Sequence, residues 1–522
     1  MNKLNLILSS LILVGATAGH LPAAQPALIK IDLDRTVGAI DPNIYSSFLE
    51  PLERGPGASG PGPGFGVVYG PLYDPASPLA DANGFRKDYI QQIKELKVSS
   101  VRWPGGNFVS GYHWEDGIGP KKDRPVLLDL SRTRKETNQM GTDEYAAFCA
   151  LVGSANFICI NGGTGTIEDA AHWVEYCNAP AGTRYADLRV KNGHAAPYAV
   201  KFWALGNEPD GPWQLGHKDK VDYVKFALEA AKTMRGVDKD IKLVAAGASN
   251  YPLVTKQYDP KDGWTDWDDY VLDQMAGTID YLSLHRYVFQ VLRGIEKPTF
   301  ADQMSLGMEI DRIIEVTQGQ IKKAMVKSGT DRPIAISFDE YGARANGLTG
   351  PLLLAQHLNA FIRHADIVKM ANLTFLSSLV GTTPEGDYKN SLYAPFFLYS
   401  NHARGTALEV FTRCDTYDNT VFKAIPYLDI SAVLNTADGT LVVNVVNRSE
   451  TAAIPADLEL QSGAYTGQGK VNLVTADSIE ATNTAKEEKV KLATSDLAFT
   501  GNRIAHTFPA HSLTQLEIAL KK

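Results

Sequence analysis

The sequence predicts an α/β fold, a (β/α)8 TIM barrel with a C-terminal all-β sandwich domain that also takes up the N-terminal strand. Three observations predict it. Between about residues 41 and 401, eight short β-rich runs alternate with amphipathic stretches, the pattern of repeated βα units around a parallel sheet. From about residue 402 the texture changes to short alternating strands separated by Asp, Asn, Gly and Ser turns. Ahead of the first unit, Ile29, Ile31 and Leu33 alternate with Lys30, Asp32 and Asp34, as in a half-buried strand.

Taken in order, Lys3, the apolar run Leu4 to Val14 and the small-x-small triplet Ala16-Thr17-Ala18 form a signal peptide over residues 1–24. The run is shorter than the roughly 20 residues that span a bilayer, so export to a periplasm or the exterior is expected, with no membrane span. Residues 25–40 supply the N-terminal strand, 41–401 the barrel and 402–522 the sandwich. The eight barrel strands are expected at Asn43 to Phe48, Ser99 to Trp103, Asn156 to Asn161, Val200 to Gly206, Lys242 to Gly247, Asp280 to His285, Pro333 to Phe338 and Lys369 to Leu376. Between them, Phe85 to Leu96, Thr142 to Val152, Ile167 to Tyr176, Val221 to Met234 and Pro351 to His364 carry apolar residues at helical spacing, with Thr142 and Thr166 as caps. The Gly/Pro-rich run Gly55 to Gly66 has no periodicity and reads as a loop on the face where such barrels build their sites. In the tail, strands are expected at Val410 to Arg413, Val421 to Ile425, Leu441 to Val446, Leu458 to Leu460, Arg503 to Phe508 and Leu513 to Ile518.

A formal charge of −8 with no long basic run argues against nucleic acid as a partner. Cys149, Cys159, Cys177 and Cys414 are too few for a disulfide scaffold and lack C-x-x-C spacing, so no metal is expected. A Cys149–Cys177 bridge is the alternative to buried free thiols. No nucleotide loop appears, and no cofactor is implied.

The strand map singles out polar residues at strand C-termini. Glu208 follows the fourth strand in Gly206-Asn207-Glu208, and Glu340 follows the seventh in Phe338-Asp339-Glu340. A single glutamate at a strand end is more often an ion pair than a catalyst. Two, on strands that one barrel mouth brings together, supply the carboxyl pair that glycoside hydrolysis needs: one protonated to assist the leaving oxygen, one ionised to attack or to activate water.

Arg102-Trp103-Pro104-Gly105-Gly106-Asn107-Phe108, Trp114-Glu115-Asp116-Gly117, and Gly206-Asn207-Glu208 followed by Asp210-Gly211-Pro212-Trp213-Gln214 form longer stretches. Together they resemble glycoside hydrolase family 51, whose best-known members are α-L-arabinofuranosidases. The resemblance implies a retaining double displacement with Glu340 as nucleophile and Glu208 as acid/base, and therefore a higher pKa for Glu208. It further implies sugar contacts from Glu50, Asn107 and Asn207, support of the two carboxylates by His285 and Tyr287, a carbohydrate substrate, and assembly into homo-oligomers. Trp103, Trp114 and Trp213 are each candidates for a sugar-facing ring or for barrel packing.

The pattern departs from the family at Pro51, where His is common, at Tyr341-Gly342, where Trp-Asn is usual, and through Leu373 to Gly381. No departure removes a carboxylate. An exo-acting α-L-arabinofuranosidase leads, with a galactofuranosidase, xylosidase or endo-β-glucanase as same-mechanism alternatives, and a non-catalytic carbohydrate-binding protein behind them.

Overall fold

A computed structural model describes residues 26–51, 68–131, 134–249, 263–292, 294–343, 347–435 and 437–521. The expected signal peptide and the whole Gly/Pro-rich run Gly55 to Gly66 lie outside the described residues. Among those described, no helix is long and apolar enough to cross a membrane.

Eight parallel strands close a barrel: Ser46–Phe48, Ser100–Trp103, Ala155–Cys159, Phe202–Ala204, Lys242–Ser249, Tyr281–Arg286, Ala335–Tyr341 and Val368–Leu373. Ser47 pairs with Val101, Arg102 with Phe157 and Trp203 with Leu243, and Asn372 against Ser46 closes the ring. Phe157, Cys159, Phe202, Ala204, Val244 and Met370 fill the interior, so the barrel is a packed core rather than a pore. Crossover helices cover its outside, including Gly263–Met275 and Gly307–Ser328 after strands five and six.

Local chemistry sets the helix ends. The Thr166 hydroxyl accepts from the Asp169 amide while the Asp169 carboxylate accepts from the Thr166 amide, a reciprocal capping box. Thr142 is not the cap expected of it. Gly141 takes that place, with Glu144 accepting from its amide, and the Thr142 hydroxyl accepts from the Trp173 indole instead.

The first strand, Ala27–Ala39, lies in a nine-stranded sheet, antiparallel to Thr406–Arg413 on one side and parallel to Ile454–Leu460 on the other. The sheet is one continuous hydrogen-bonded order, yet Ile29, Ile31, Val443, Leu458, Leu516 and Ile518 are fully buried in a cluster separate from the barrel core. An apolar face buried without help from the barrel is covered by its own sheet, curled over as a sandwich. The strand expected at Val421 to Ile425 is reduced to Ile425–Pro426. Asn419 accepts from the amides of Val421 and Phe422 and Asp418 from that of Ala424, so side-chain-closed turns displace strand pairing there.

Barrel and sheet meet across the helix Thr349–Arg363, which is buried along most of its length. Arg363 donates to Asp429 at 2.7 Å and to Asp311 at 2.7 Å, and Arg448 donates to Gln356 at 2.7 Å. All four cysteines are free thiols, and three are buried.

Candidate active site

The C-terminal ends of strands five, six and seven depart from regular pairing. The register shifts between Ala246 and Ser249, and again between Ser337 and Glu340, leaving His285 opposite Ser249 on one side and Glu340 on the other. Such irregularities re-aim side chains at a barrel rim. Strand seven consequently continues through Asp339 and Glu340 to Tyr341 instead of stopping at Phe338.

Glu208 arrives differently. Strand four ends at Ala204, and the chain turns through Gly206 at φ +94° and Glu208 at φ +44°. A non-glycine residue in the left-handed region costs roughly 1–3 kcal/mol and persists only where its surroundings enforce it. The turn is closed by the Gly211 amide donating to the Glu208 carbonyl at 2.9 Å. Gly211 also makes room, because a Cβ there would come within 2.4 Å of the Trp213 ring, so only a glycine lets the indole lie against this turn. The indole Nε1 donates to Glu208 Oε2 at 2.7 Å.

Glu208 and Glu340 are 6% and 7% exposed, and one oxygen of each lies within 4.8 Å of the other around the His285 ring. His285 Nδ1 is 3.1 Å from Glu208 Oε1 and 3.1 Å from Glu340 Oε2, and its Nε2 is 3.6 Å from Asp339 Oδ1. Tyr287 donates to Glu340 Oε1 at 2.7 Å and reaches Thr374 Oγ1 at 3.1 Å. Arg102, fully buried, donates to Asn207 Oδ1 at 2.7 Å and lies 3.4 Å from Glu340 Oε2 and 3.3 Å from Asp339 Oδ2.

These charges set one another's acidities. Burial alone would lower the His285 pKa, but the Glu340 charge and the hydrogen bonds to Asp339 and Glu208 prevail and hold it at about 10, so the ring carries two protons near neutrality. For Glu208, burial is outweighed by the donors His285 and Trp213 and by the His285 and Arg102 charges, and its pKa falls. Burial leaves the Glu340 pKa raised: the His285 and Arg102 charges and the Tyr287 hydroxyl pull it down, while the Glu208 charge pushes it up. The order is the reverse of the one expected, because the indole and imidazole donors converge on Glu208.

The remaining candidates line the same mouth. Glu50 is buried and accepts from the Phe108 amide at 3.0 Å. A Cβ on Gly106, itself at φ +66°, would collide with the Glu50 carboxyl at 2.5 Å, which explains the second glycine of Gly105-Gly106. Asn107 Oδ1 accepts from Gln214 Nε2 at 2.7 Å, and Gln214 Oε1 accepts from the Ser110 hydroxyl at 2.9 Å. Among the described residues, Asn207 Nδ2 has no hydrogen-bond partner although Asn207 is only 3% exposed. Of the three tryptophans, Trp103 stacks on Tyr145 and Trp114 on Trp173 inside the core. Trp213 alone of them is accessible, at 37%.

Sequence reasoning did not single out Arg102, Gln214 or Thr374. Arg102 left a signal, a cation within an apolar barrel strand, since a buried charge demands buried partners. Gln214 and Thr374 left none.

Comparison with known proteins agrees with this architecture. Residues 92–286 match the family model of the α-L-arabinofuranosidase 1 domain, and residues 339–512 that of the α-L-arabinofuranosidase C-terminal domain. The α-L-arabinofuranosidase C of Emericella nidulans is 36% identical over 94% of this chain and 96% of its own length. An intracellular exo-α-(1→5)-L-arabinofuranosidase of Halalkalibacterium halodurans is 33% identical over 92% and 96%. Among solved structures, the α-L-arabinofuranosidase of Thermotoga maritima in complex with arabinose superposes with a TM-score of 0.83 at 30% identity, over 95% of this chain and all of that one.

Proposed function

From the premise that the chain belongs to glycoside hydrolase family 51, the α-L-arabinofuranosidases, we propose that it removes terminal α-L-arabinofuranosyl residues from plant polysaccharides or oligosaccharides by retaining double displacement. The observation that carries the mechanism is the Glu208–Glu340 pair, whose facing oxygens lie within 4.8 Å. Retaining glycosidases hold their carboxyl groups about 5–5.5 Å apart, whereas inverting ones leave about 6.5–9.5 Å for a water.

Glu340 attacks the anomeric carbon while Glu208 protonates the departing oxygen. In the second half, Glu208 takes a proton from the water that displaces Glu340. Glu340 is aimed by Tyr287 and faced by Arg102, groups that suit a nucleophile held in one rotamer. The acidity order assigns His285 the proton at the outset. As Glu340 surrenders its charge to the sugar, the field holding that proton weakens, and the 3.1 Å contact with Glu208 Oε1 is its route to the acid. Glu50, Asn107 and the unpartnered Asn207 Nδ2 are read as the groups that bind sugar hydroxyls. Exo action is supported by the shielding of both carboxylates, which suits a chain end better than a chain middle, and by the name of the Halalkalibacterium relative.

The enzyme is read as exported, on the Leu4 to Val14 run and the Ala16-Thr17-Ala18 triplet; sequencing the mature N-terminus checks this. Activity is tested with a panel of nitrophenyl glycosides, with product configuration followed by NMR. Arabinofuranoside turnover with retention supports the reading. Turnover of another sugar moves the specificity, and inversion sinks the mechanism.

A further inference from the structure

We propose that Asp210 is the positioning residue of the acid/base: clamped to Ser249, its carboxylate fixes the left-handed turn on which Glu208 is mounted. The inference rests on the reading of Glu208 as acid/base and adds a residue to it.

The geometry is a closed circuit. Asp210 sits inside the turn that the Gly211 amide closes onto Glu208, and it is 7% exposed. Its Oδ2 accepts from the Ser249 amide at 2.9 Å and its Oδ1 from the Ser249 hydroxyl at 2.7 Å. Ser249 ends strand five and pairs with His285 across the shifted register, and His285 returns to Glu208. Glu208, Asp210, Ser249 and His285 therefore hold one another in a ring, joining a strained turn on one strand to two neighbouring strands. An aspartate suits the post because two donors from one residue need two acceptor oxygens at fixed separation.

No other contact of the Asp210 carboxylate among the described residues explains its burial. Among the described residues no Lys or Arg forms an ion pair with it; the Glu208 charge acts on it, its own charge acts on Asp268, and the His217 ring meets its carbonyl rather than its carboxylate. Burial pushes its pKa up to about 7, with the Ser249 donors opposing and Glu208 adding to the rise. An acid left at such cost beside a left-handed turn is accounted for by what the turn carries.

The test compares full-length wild type, Asp210→Ala, Asp210→Asn, Ser249→Ala and Glu208→Ala on two substrates. Methyl α-L-arabinofuranoside needs leaving-group protonation and dinitrophenyl α-L-arabinofuranoside does not. Asp210→Ala is expected to lose about 100-fold in kcat/KM on the methyl glycoside and under about 3-fold in kcat/KM on the dinitrophenyl one, since kcat/KM reports the first half-reaction alone. Asp210→Asn, which keeps one acceptor and offers Ser249 Oγ a donor, should recover most of that loss. It should also move the basic limb of the pH profile to lower pH, because removing a negative neighbour makes the proton held between His285 and Glu208 easier to lose. Equal losses on both substrates, or an unmoved basic limb in Asp210→Asn, overturn the proposal. If Asp210→Ala does not fold, the pH limb of Asp210→Asn and the substrate ratio of Ser249→Ala decide it by the same criteria. Should Glu208→Ala itself lose equally in kcat/KM on both substrates, the acid/base reading fails, and the clamp with it, by a result separate from the clamp's own.

Discussion

His285 and Glu340 stand directly opposite each other on adjacent parallel strands, with imidazole Nδ1 3.1 Å from carboxylate Oε2. This pairing ties the charge of the nucleophile to a proton shared with the acid/base, and the acidities of the site follow from it.

Replacing His285 with Gln tests that linkage through stability. The His285 pKa rises from 6.5 to about 10 on folding, so its contribution is complete below about pH 6.5 and disappears as pH climbs through 10. Urea midpoints of wild type and His285→Gln should differ most in the acid half of that range and converge above it. A difference that grows toward pH 10 contradicts the protonated imidazole.

Removal of either carboxylate should cost at least about 10⁴-fold in kcat on oligosaccharides. Azide separates the roles. It should rescue Glu208→Ala to a glycosyl azide of retained configuration and Glu340→Ala to an inverted one. The same configuration from both variants refutes the assignment.

The Tyr287 hydroxyl donates to Glu340 at 2.7 Å, a hydrogen bond to a charged group worth about 1.5–3 kcal/mol. Tyr287→Phe should lower kcat/KM by about 10- to 150-fold while the circular dichroism spectrum stays that of wild type. A change under about 2-fold makes the contact incidental.

Trp213→Phe keeps a ring over the Gly211 turn and deletes the indole donor to Glu208. Losing a donor to the ionised carboxylate makes Glu208 a better acceptor for the proton it shares with His285, so the basic limb of kcat/KM should move to higher pH, opposite in sign to the shift expected for Asp210→Asn.

At the domain junction, Asp429→Ala takes from Arg448, whose side chain is 2% exposed, its carboxylate partner and leaves it only neutral acceptors such as Gln356, and it removes a partner of Arg363. Deleting one partner of a buried pair costs about 3–5 kcal/mol, and the melting temperature should fall by several degrees while KM is unaltered.

The barrel was legible because each βα unit repeats the same switch from apolar run to helical periodicity, and the closed sheet uses all eight expected runs. The pair Glu208 and Glu340 was legible because strand ends are where a barrel exposes polar side chains. What escaped was whatever depends on register. Strand seven's shift beside Glu340 and strand five's at Ser249 bring His285 against both carboxylates, and neither leaves a mark in residue order. The inverted acidities escaped for the same reason, since the Trp213 indole reaches Glu208 only through a turn whose φ angles are fixed in three dimensions. The Val421 to Ile425 error was of another kind: β-prone residues lost to Asp418 and Asn419, whose side chains offered the backbone nearer partners.

The placement of Ala27–Ala39 bears on how the molecule is made. Its two partner strands begin at Thr406 and Ile454, so at roughly 5–20 residues per second the first strand waits about 20–70 s for its nearest neighbour to be synthesised. Throughout that interval the whole barrel is translated with an unpaired, half-apolar edge at its head. Strands made before and after the barrel are thus read into one sheet, and Ala27–Ala39 is bound only once the barrel has been translated.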